Sequence, residues 1–209
     1  FIMDGIIFDV DGTLWDSTES VAEAWTRAVR EHSSLDITLD AETMGSVFGK
    51  TMTEIGEALF PTLSPDERMK LLNVCFAYEN RHLEDHPGIA YPGVVETIAK
   101  LSAKYPLFIV SNCQTGYVEI TMKCLGIESH IKDHLCFGET LVPKGETIRI
   151  LMERNGLKAP VYVGDTQGDA DACADAGIPF IFAEYGLGDV PDASARIRSF
   201  SDLKEIFLN

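Results

Sequence analysis

Apolar positions along the chain follow two patterns, one typical of strands and one typical of helices. A continuous apolar run, Gly5–Phe8, lies near the start of the chain, and such a run is typical of a strand buried on both faces. From Pro92 onward similar runs alternate with amphipathic helical patterns. The predicted strands are 107–111, 134–138, 161–164 and 179–183, and the predicted helices are 93–104, 116–125, 145–155, 168–176 and a short terminal helix capped by Ser201. This alternation predicts an α/β fold with a parallel sheet covered on both faces.

Between the first strand and Pro92 the pattern is helical throughout. Predicted helices cover 17–32, 41–48, 52–60 and 65–83, with breaks at Gly49-Lys50-Thr51 and at Pro61. The segment 86–93 contains two Pro and two Gly and ends the helical region. We therefore predict a Rossmann-like parallel-sheet core formed by residues 1–15 and 89–209, with an all-helical cap domain, 16–88, inserted into it.

Composition narrows the possible partners and compartments. The 209 residues include 17 Lys and Arg against 33 Asp and Glu, a net charge of −16, which argues against nucleic acid and anionic membrane surfaces as partners. No apolar run reaches the roughly 20 residues needed to span a bilayer, and no signal-peptide pattern opens the chain. The five scattered cysteines include no Cys-x-x-Cys pair, which indicates reduced thiols. We expect a cytoplasmic monomer or homodimer.

Four polar signals fall at or just after the ends of predicted strands, in chain order. They are Asp9 with Asp11, Ser111-Asn112, Lys144 after a short loop, and Asp165 with Asp169. In open α/β sheets the ligand site lies at the carboxyl ends of the strands. Two carboxylates at the end of an apolar strand are costly to bury without a partner, which suggests a cation there. Ordinary turn acids are the alternative for Asp9 and Asp11 taken alone.

These residue types suit phosphoryl transfer. An Asp can act as a covalent nucleophile that forms an acyl-phosphate, and a second acid can protonate the leaving alcohol and later activate water. Asp9 and Asp165 could supply oxygen ligands to Mg²⁺, and Lys144 is a point charge for the phosphate. Ser111 and backbone N–H groups near Gly12 can donate hydrogen bonds to the phosphate oxygens.

The same residues carry a family resemblance. Asp9-Val-Asp-Gly-Thr13, Ser111-Asn112, Lys144 and Gly164-Asp-Thr-x-x-Asp169 resemble, in order and spacing, the four motifs of the haloacid dehalogenase-like superfamily. The resemblance implies a nucleophile at Asp9 and an acid/base at Asp11. It implies a Mg²⁺ site formed by Asp9, the Asp11 carbonyl and Asp165, supported by Asp169. Ser111 and Lys144 would bind the phosphoryl group, with Gly12, Thr13 and Asn112 beside the substrate.

The resemblance also indicates a subclass. Phosphatases and phosphomutases of the superfamily keep an acid at the position of Asp11, whereas its dehalogenases and phosphonate hydrolases do not. The segment Tyr185-Gly-Leu-Gly-Asp189 and the helical cap are similar to phosphoglycolate phosphatase-like members. One departure is that Pro143 precedes Lys144 and Gly145 follows it, where many relatives have Lys-Pro.

We therefore predict a Mg²⁺-dependent phosphatase that hydrolyses a small phosphorylated metabolite through an aspartyl-phosphate on Asp9. Lys50 is the candidate contact to the distal end of the substrate, and a solvated loop lysine is the equally supported alternative. A phosphomutase of the β-phosphoglucomutase kind and a non-catalytic phosphometabolite-binding protein are the alternative functions. The sequence does not name the phosphate ester.

Overall fold

The structure, a computed structural model, describes residues 3–209 and divides the chain into two units. The first unit comprises Phe1–Asp16 and Ala90–Asn209, and the second comprises Ser17–Ile89. Both junctions lie one residue later than in the division predicted from the sequence pattern. The first two residues of the chain lie outside the described part.

Eight strands lie in the described part of the chain. They are β1 (Gly5–Phe8), β2 (Trp15–Asp16), β3 (Ile89–Ala90), β4 (Leu107–Ser111), β5 (Ile131–Cys136), β6 (Pro160–Gly164), β7 (Phe180–Ala183) and β8 (Arg196–Ile197). Six of them form the main sheet in the order β5-β4-β1-β6-β7-β8, and every neighbouring pair is parallel. The predicted α/β fold with a parallel sheet is therefore confirmed.

The central position of β1 creates the switch point of the sheet. The strands β4 and β5 lie on one side of β1. The chain then crosses to the other side of β1, where β6, β7 and β8 follow in order. The strands β1, β4 and β6 are buried along their whole length, which agrees with their continuous apolar sequence. Because the strands are parallel, the carboxyl ends of these three neighbours meet at one edge, where open α/β sheets bind ligands.

Ten α-helices accompany the strands in the described residues. They are α1 (Thr18–His32), α2 (Ala41–Val47), α3 (Met52–Leu59), α4 (Pro65–Asp85), α5 (Val94–Ser102), α6 (Tyr117–Leu125), α7 (Phe137–Thr140), α8 (Lys144–Asn155), α9 (Gln167–Ala176) and α10 (Leu203–Phe207). Short 3₁₀ turns cover Glu128–His130 and Phe200–Asp202. None of the helices in residues 3–209 combines the length and the apolar character that crossing a membrane requires.

The second unit contains the helices α1 to α4. Capping boxes fix the starts of α3 and α4, where Thr51 pairs with Glu54 and Ser64 pairs with Glu67. The buried indole of Trp25 in α1 donates a hydrogen bond from Nε1 to Glu79 Oε2 in α4, at 2.5 Å. The predicted all-helical character of this insertion is confirmed.

Two predictions of local structure were wrong. The strand predicted at 134–138 is Ile131–Cys136, and the next two residues belong to α7. The start of this strand was missed because Lys132 and Asp133 are polar. The strand lies at the sheet edge, where polar side chains are tolerated. Ser201 does not cap the terminal helix, because it lies inside the 3₁₀ turn that Ser199 and Asp202 cap.

Asp133 joins this edge strand to α8. Its carboxylate accepts hydrogen bonds from Arg154 Nε at 2.8 Å and Nη2 at 2.6 Å, from Asn155 Nδ2 at 2.6 Å, and from the His134 backbone N–H at 2.9 Å. Burial tends to raise the pKa of this carboxyl, but the hydrogen bonds from Asn155, Arg154 and His134 outweigh burial and lower the pKa below its usual value. The ionised carboxylate therefore stabilises the folded state.

We expect Asp133→Asn to lower the free energy of unfolding by about 1–2 kcal/mol at neutral pH, because an amide nitrogen would face donors instead of accepting from them. The folded-state pKa is depressed, so this stabilisation is present above the unfolded-state pKa of about 3.9 and lost as pH falls through the folded-state pKa. Urea unfolding at several pH values measures the difference.

The exposed Asp192 provides a matched control, since Asp192→Asn makes the same change of charge without removing a described hydrogen bond. A difference between wild type and Asp133→Asn that stays constant as pH falls toward about 3.5 would contradict the assigned role of the charge.

Candidate active site

The carboxyl-end edge of the sheet gathers most of the predicted site residues. Asp9 directly follows β1, Ser111 ends β4, and Asp165 directly follows β6. Lys144 is the first residue of α8, and Asp169 lies in the first turn of α9. The parallel topology therefore brings together side chains that are more than 150 residues apart in the chain.

Lys144 joins two of the carboxylates. Its Nζ lies 3.1 Å from Asp9 Oδ1 and 2.5 Å from Asp169 Oδ1. The side chains of Lys144, Asp9 and Asp169 are 5%, 4% and 0% exposed, so water contributes little to their solvation. Burial tends to lower the pKa of Lys144, but the charges of Asp169 and Asp9 raise it above its ordinary value. The lysine is therefore a permanent positive charge at this edge.

Asp169 uses both carboxylate oxygens within the protein. Oδ2 accepts from the backbone N–H groups of Asp165 and Thr166 at 3.1 and 3.0 Å, and from Thr166 Oγ1 at 2.9 Å. Oδ1 accepts from Lys144 and, at 3.3 Å, from the hydroxyl of Tyr162. With five donors around it, Asp169 fixes the start of α9 and orients Lys144.

Asp165 is held by a loop after β7. Its Oδ2 accepts from the backbone N–H groups of Leu187 and Gly188 at 2.8 and 3.3 Å, and its Oδ1 lies 3.4 Å from Thr13 Oγ1. Burial and the charges of Asp169 and Asp9 raise the pKa of Asp165 well above its ordinary value. Burial and the charge of Asp169 likewise raise the pKa of Asp9, to about 7. The one positive charge of Lys144 does not balance the negative charges of these three carboxylates.

Glycines allow the backbone to approach Asp165 closely. A Cβ on Gly12, whose φ is 76°, would lie 1.9 Å from Asp165 Oδ2. A Cβ on Gly186 would lie 2.3 Å from the Gly12 carbonyl oxygen and 2.4 Å from Asp165 Cβ. Gly186 and Gly188 therefore let the loop after β7 pack closely against Asp165.

The carboxylates form an oxygen donor set that fits a hard divalent cation. One ligand atom from each of Asp9, Asp165 and Asp169 lies within 4.8 Å of the others, and all three residues are buried. Mg²⁺ takes oxygen ligands and is usually held by one or two carboxylates. Since the oxygens of Asp169 already accept five hydrogen bonds, Asp9 and Asp165 fit direct coordination better.

Asp11 lies in surroundings different from those of Asp9. Its Oδ1 accepts from the indole Nε1 of Trp15 at 3.1 Å and from the hydroxyl of Tyr117 at 2.6 Å. Trp15 and Tyr117 pack edge to face, with ring centroids 6.1 Å apart. Sequence reasoning did not find Tyr117 or Tyr162, because no local pattern marks a tyrosine whose hydroxyl contacts a carboxylate from a distant part of the chain.

The remaining predicted residues divide between the two units. Ser111 is buried and Asn112 is half-buried at the end of β4, and Thr13 is buried beside Asp165. Lys50 belongs to the second unit, where it is exposed in the turn between α2 and α3. Its predicted contact with substrate stays a prediction.

Comparisons with known proteins agree with this arrangement. A family model for haloacid dehalogenase-like hydrolases matches residues 6–183. A phosphoglycolate phosphatase from Rhodobacter capsulatus is 25% identical over 208 residues, covering 96% of this chain and 94% of the relative. A haloacid dehalogenase-like hydrolase structure from Streptococcus pneumoniae superposes with a TM-score of 0.84 at 20% identity, covering 98% of each chain. The structure of CbbY from Rhodobacter sphaeroides in complex with xylulose-(1,5)-bisphosphate superposes with a TM-score of 0.80 at 17% identity, covering 97% of this chain and 96% of CbbY. The chain therefore belongs to the haloacid dehalogenase-like hydrolase family.

Proposed function

We propose that this hydrolase is a Mg²⁺-dependent phosphatase that acts on a small phosphorylated metabolite through an aspartyl-phosphate on Asp9. The observation that carries the proposal is that Asp9 and Asp11, two residues apart in the chain, have carboxylates with different partners. Asp9 is buried against Lys144, which suits a nucleophile beside a bound phosphate, whereas Asp11 is bonded by Trp15 and Tyr117, which suits proton transfer.

The reaction has two half-steps. In the first, a carboxylate oxygen of Asp9 forms a bond to phosphorus while the bond from phosphorus to the ester oxygen breaks, and Asp11 gives its proton to the departing alcohol. In the second, Asp11 accepts a proton from water as the water oxygen attacks phosphorus, and the bond from phosphorus to Asp9 breaks. Inorganic phosphate leaves and both carboxyl groups return to their starting states.

The other residues bind and orient the phosphoryl group. The ammonium of Lys144 supplies positive charge beside Asp9, and the Ser111 hydroxyl and Asn112 at the end of β4 would supply hydrogen-bond donors. The backbone N–H groups of Gly12 and Thr13 already donate within their own turn, to Trp15 and Val10. Asp9, the Asp11 carbonyl and Asp165 would hold Mg²⁺, with Asp169 orienting its neighbours. The cation would offset the charge of the clustered carboxylates and of the phosphate.

The Rhodobacter capsulatus relative supports a substrate class. It is a phosphoglycolate phosphatase of nearly equal length, so phosphoglycolate and similar small phosphorylated acids are the first substrates to assay. The phosphomutase alternative has no specific observation in its favour, since the likeness to CbbY at 17% identity concerns the fold. Membership in a hydrolase family disfavours the non-catalytic alternative. All these residues belong to the first unit, which we propose as the catalytic core, with the helical unit as its cap.

We expect Asp9→Asn to lower kcat by at least about 10⁴-fold, because an amide cannot form the acyl-phosphate and phosphate-ester hydrolysis requires a very large acceleration. Release of inorganic phosphate from phosphoglycolate measures turnover, and acid quenching of the enzyme during turnover measures phosphate bound to protein. The exposed Asp192 again provides the control, since Asp192→Asn should leave both unchanged. Activity above about a tenth of wild type in Asp9→Asn would refute the nucleophile.

Removal of Mg²⁺ should abolish turnover, and adding it should raise the melting temperature by roughly 5–10 °C at about 100 times its Kd, because it binds the folded state selectively. Calorimetry of the EDTA-treated protein with added Mg²⁺ measures the shift. In Asp165→Asn the shift should be much smaller, because a direct ligand is lost. Full activity in excess EDTA would contradict the proposed cofactor.

Gly186→Ala should lower kcat/KM at least about tenfold and destabilise the fold by about 1–3 kcal/mol, since the new methyl group would overlap backbone and Asp165 atoms that cannot move aside. Gly168→Ala is the matched control, because a Cβ on Gly168 meets only Thr166 Oγ1 at 3.6 Å. That control should be neutral or slightly stabilising within α9. Equal effects of the two substitutions, measured by urea unfolding and kinetics, would contradict the close packing at Asp165.

A further inference from the structure

The carboxyl group of Asp11 accepts hydrogen bonds from two buried aromatic side chains. Trp15 Nε1 at 3.1 Å and Tyr117 OH at 2.6 Å both donate to Oδ1. Trp15 and Tyr117 are 0% and 1% exposed, so water is not available to replace Asp11 as their acceptor. A change of conformation that moved the Asp11 carboxyl group away from these two rings would break both hydrogen bonds.

The backbone holds both donors in place. Trp15 is tied to the turn that carries Asp11, because the Gly12 N–H donates to the Trp15 carbonyl oxygen at 3.0 Å. Tyr117 is the first residue of α6 and follows Gly116, whose φ is 90°. The loop before it packs tightly against α7, since a Cβ on Gly138 would lie 2.4 Å from the Thr115 backbone nitrogen. The position of the Tyr117 hydroxyl is therefore set by packed backbone rather than by a mobile side chain.

We propose that Tyr117, together with Trp15, is a positioning residue that fixes the orientation of the Asp11 carboxyl group for transfer of a proton to the leaving group. This inference rests on the proposed function, in which Asp11 is the acid that protonates the departing alcohol. It predicts that the loss of activity depends on the leaving group, because the position of the acid affects the rate only when the leaving group needs a proton.

The test compares three phosphate esters whose leaving groups differ in basicity: p-nitrophenyl phosphate, phenyl phosphate and benzyl phosphate. The parameter kcat/KM reports the steps up to formation of the phosphoenzyme, so the later hydrolysis does not obscure the comparison. In Tyr117→Phe we expect kcat/KM to fall about 10- to 100-fold for benzyl phosphate, less for phenyl phosphate, and less than about threefold for p-nitrophenyl phosphate, whose leaving group departs without a proton.

Two further variants make the test decisive. Tyr105→Phe is the matched control, because the Tyr105 hydroxyl donates to the Phe207 carbonyl oxygen at 3.1 Å, in a contact that involves none of the site residues, and it should leave all three values unchanged. Trp15→Phe removes the other donor and should give the same dependence on leaving group, which provides a reading if Tyr117→Phe does not fold.

The outcomes separate this inference from the proposed function. Equal losses on all three esters in the folded Tyr117→Phe and Trp15→Phe variants would overturn the positioning role and leave these rings as packing residues. Turnover of the same esters by Asp9→Asn would instead overturn the proposed function. A loss that grows with leaving-group basicity, together with an inactive Asp9→Asn, supports both.

Discussion

The buried contact of Lys144 with Asp9 and Asp169 is the constraint on which the rest of the site depends. A lysine that is 5% exposed needs anionic partners, because an unpaired ammonium in the protein interior is strongly destabilising. Its two partners come from different elements, the end of β1 and the first turn of α9. The contact therefore ties both elements to the start of α8, and any rearrangement of the edge that separated them would leave a buried charge unpaired.

This constraint also gives the carboxylates different roles. Asp169 accepts Lys144, Tyr162 and the backbone at the start of α9, so its oxygens are occupied. Asp165 is held by the N–H groups of the loop that contains Gly186. Asp9 is the carboxylate whose pKa is raised to about 7 by burial and Asp169 although Lys144 opposes the shift. Carboxylates so close together favour a bound cation, which connects the architecture of the edge to the proposed use of Mg²⁺.

The parallel sheet brings the proposed catalytic residues together although they come from segments that are distant in the chain. With β1 between β4 and β6, three short apolar strands deliver Asp9, Ser111 and Asp165 to one edge. The nearby turn that carries Asp11 belongs to the same chain segment as Asp9, yet its carboxylate meets two aromatic donors instead of a lysine. Two acids on one turn thus acquire the different surroundings that nucleophile and proton donor require.

The amino-acid sequence by itself determined the α/β fold and the helical insertion, because continuous apolar strands and amphipathic helices are local patterns that side-chain burial enforces. It also placed Asp9, Ser111 and Asp165 at strand ends, since the end of an apolar run is visible in the sequence. The tertiary structure alone decided that Tyr117 bonds Asp11, that Tyr162 bonds Asp169, and that Gly186 packs against Asp165. These contacts join segments that are distant in the chain or depend on the absence of a Cβ, and neither property produces a periodic signal. The correct start of the strand Ile131–Cys136 was not predicted for a related reason. A strand at the sheet edge need not be apolar, so only its pairing with β4 identifies it.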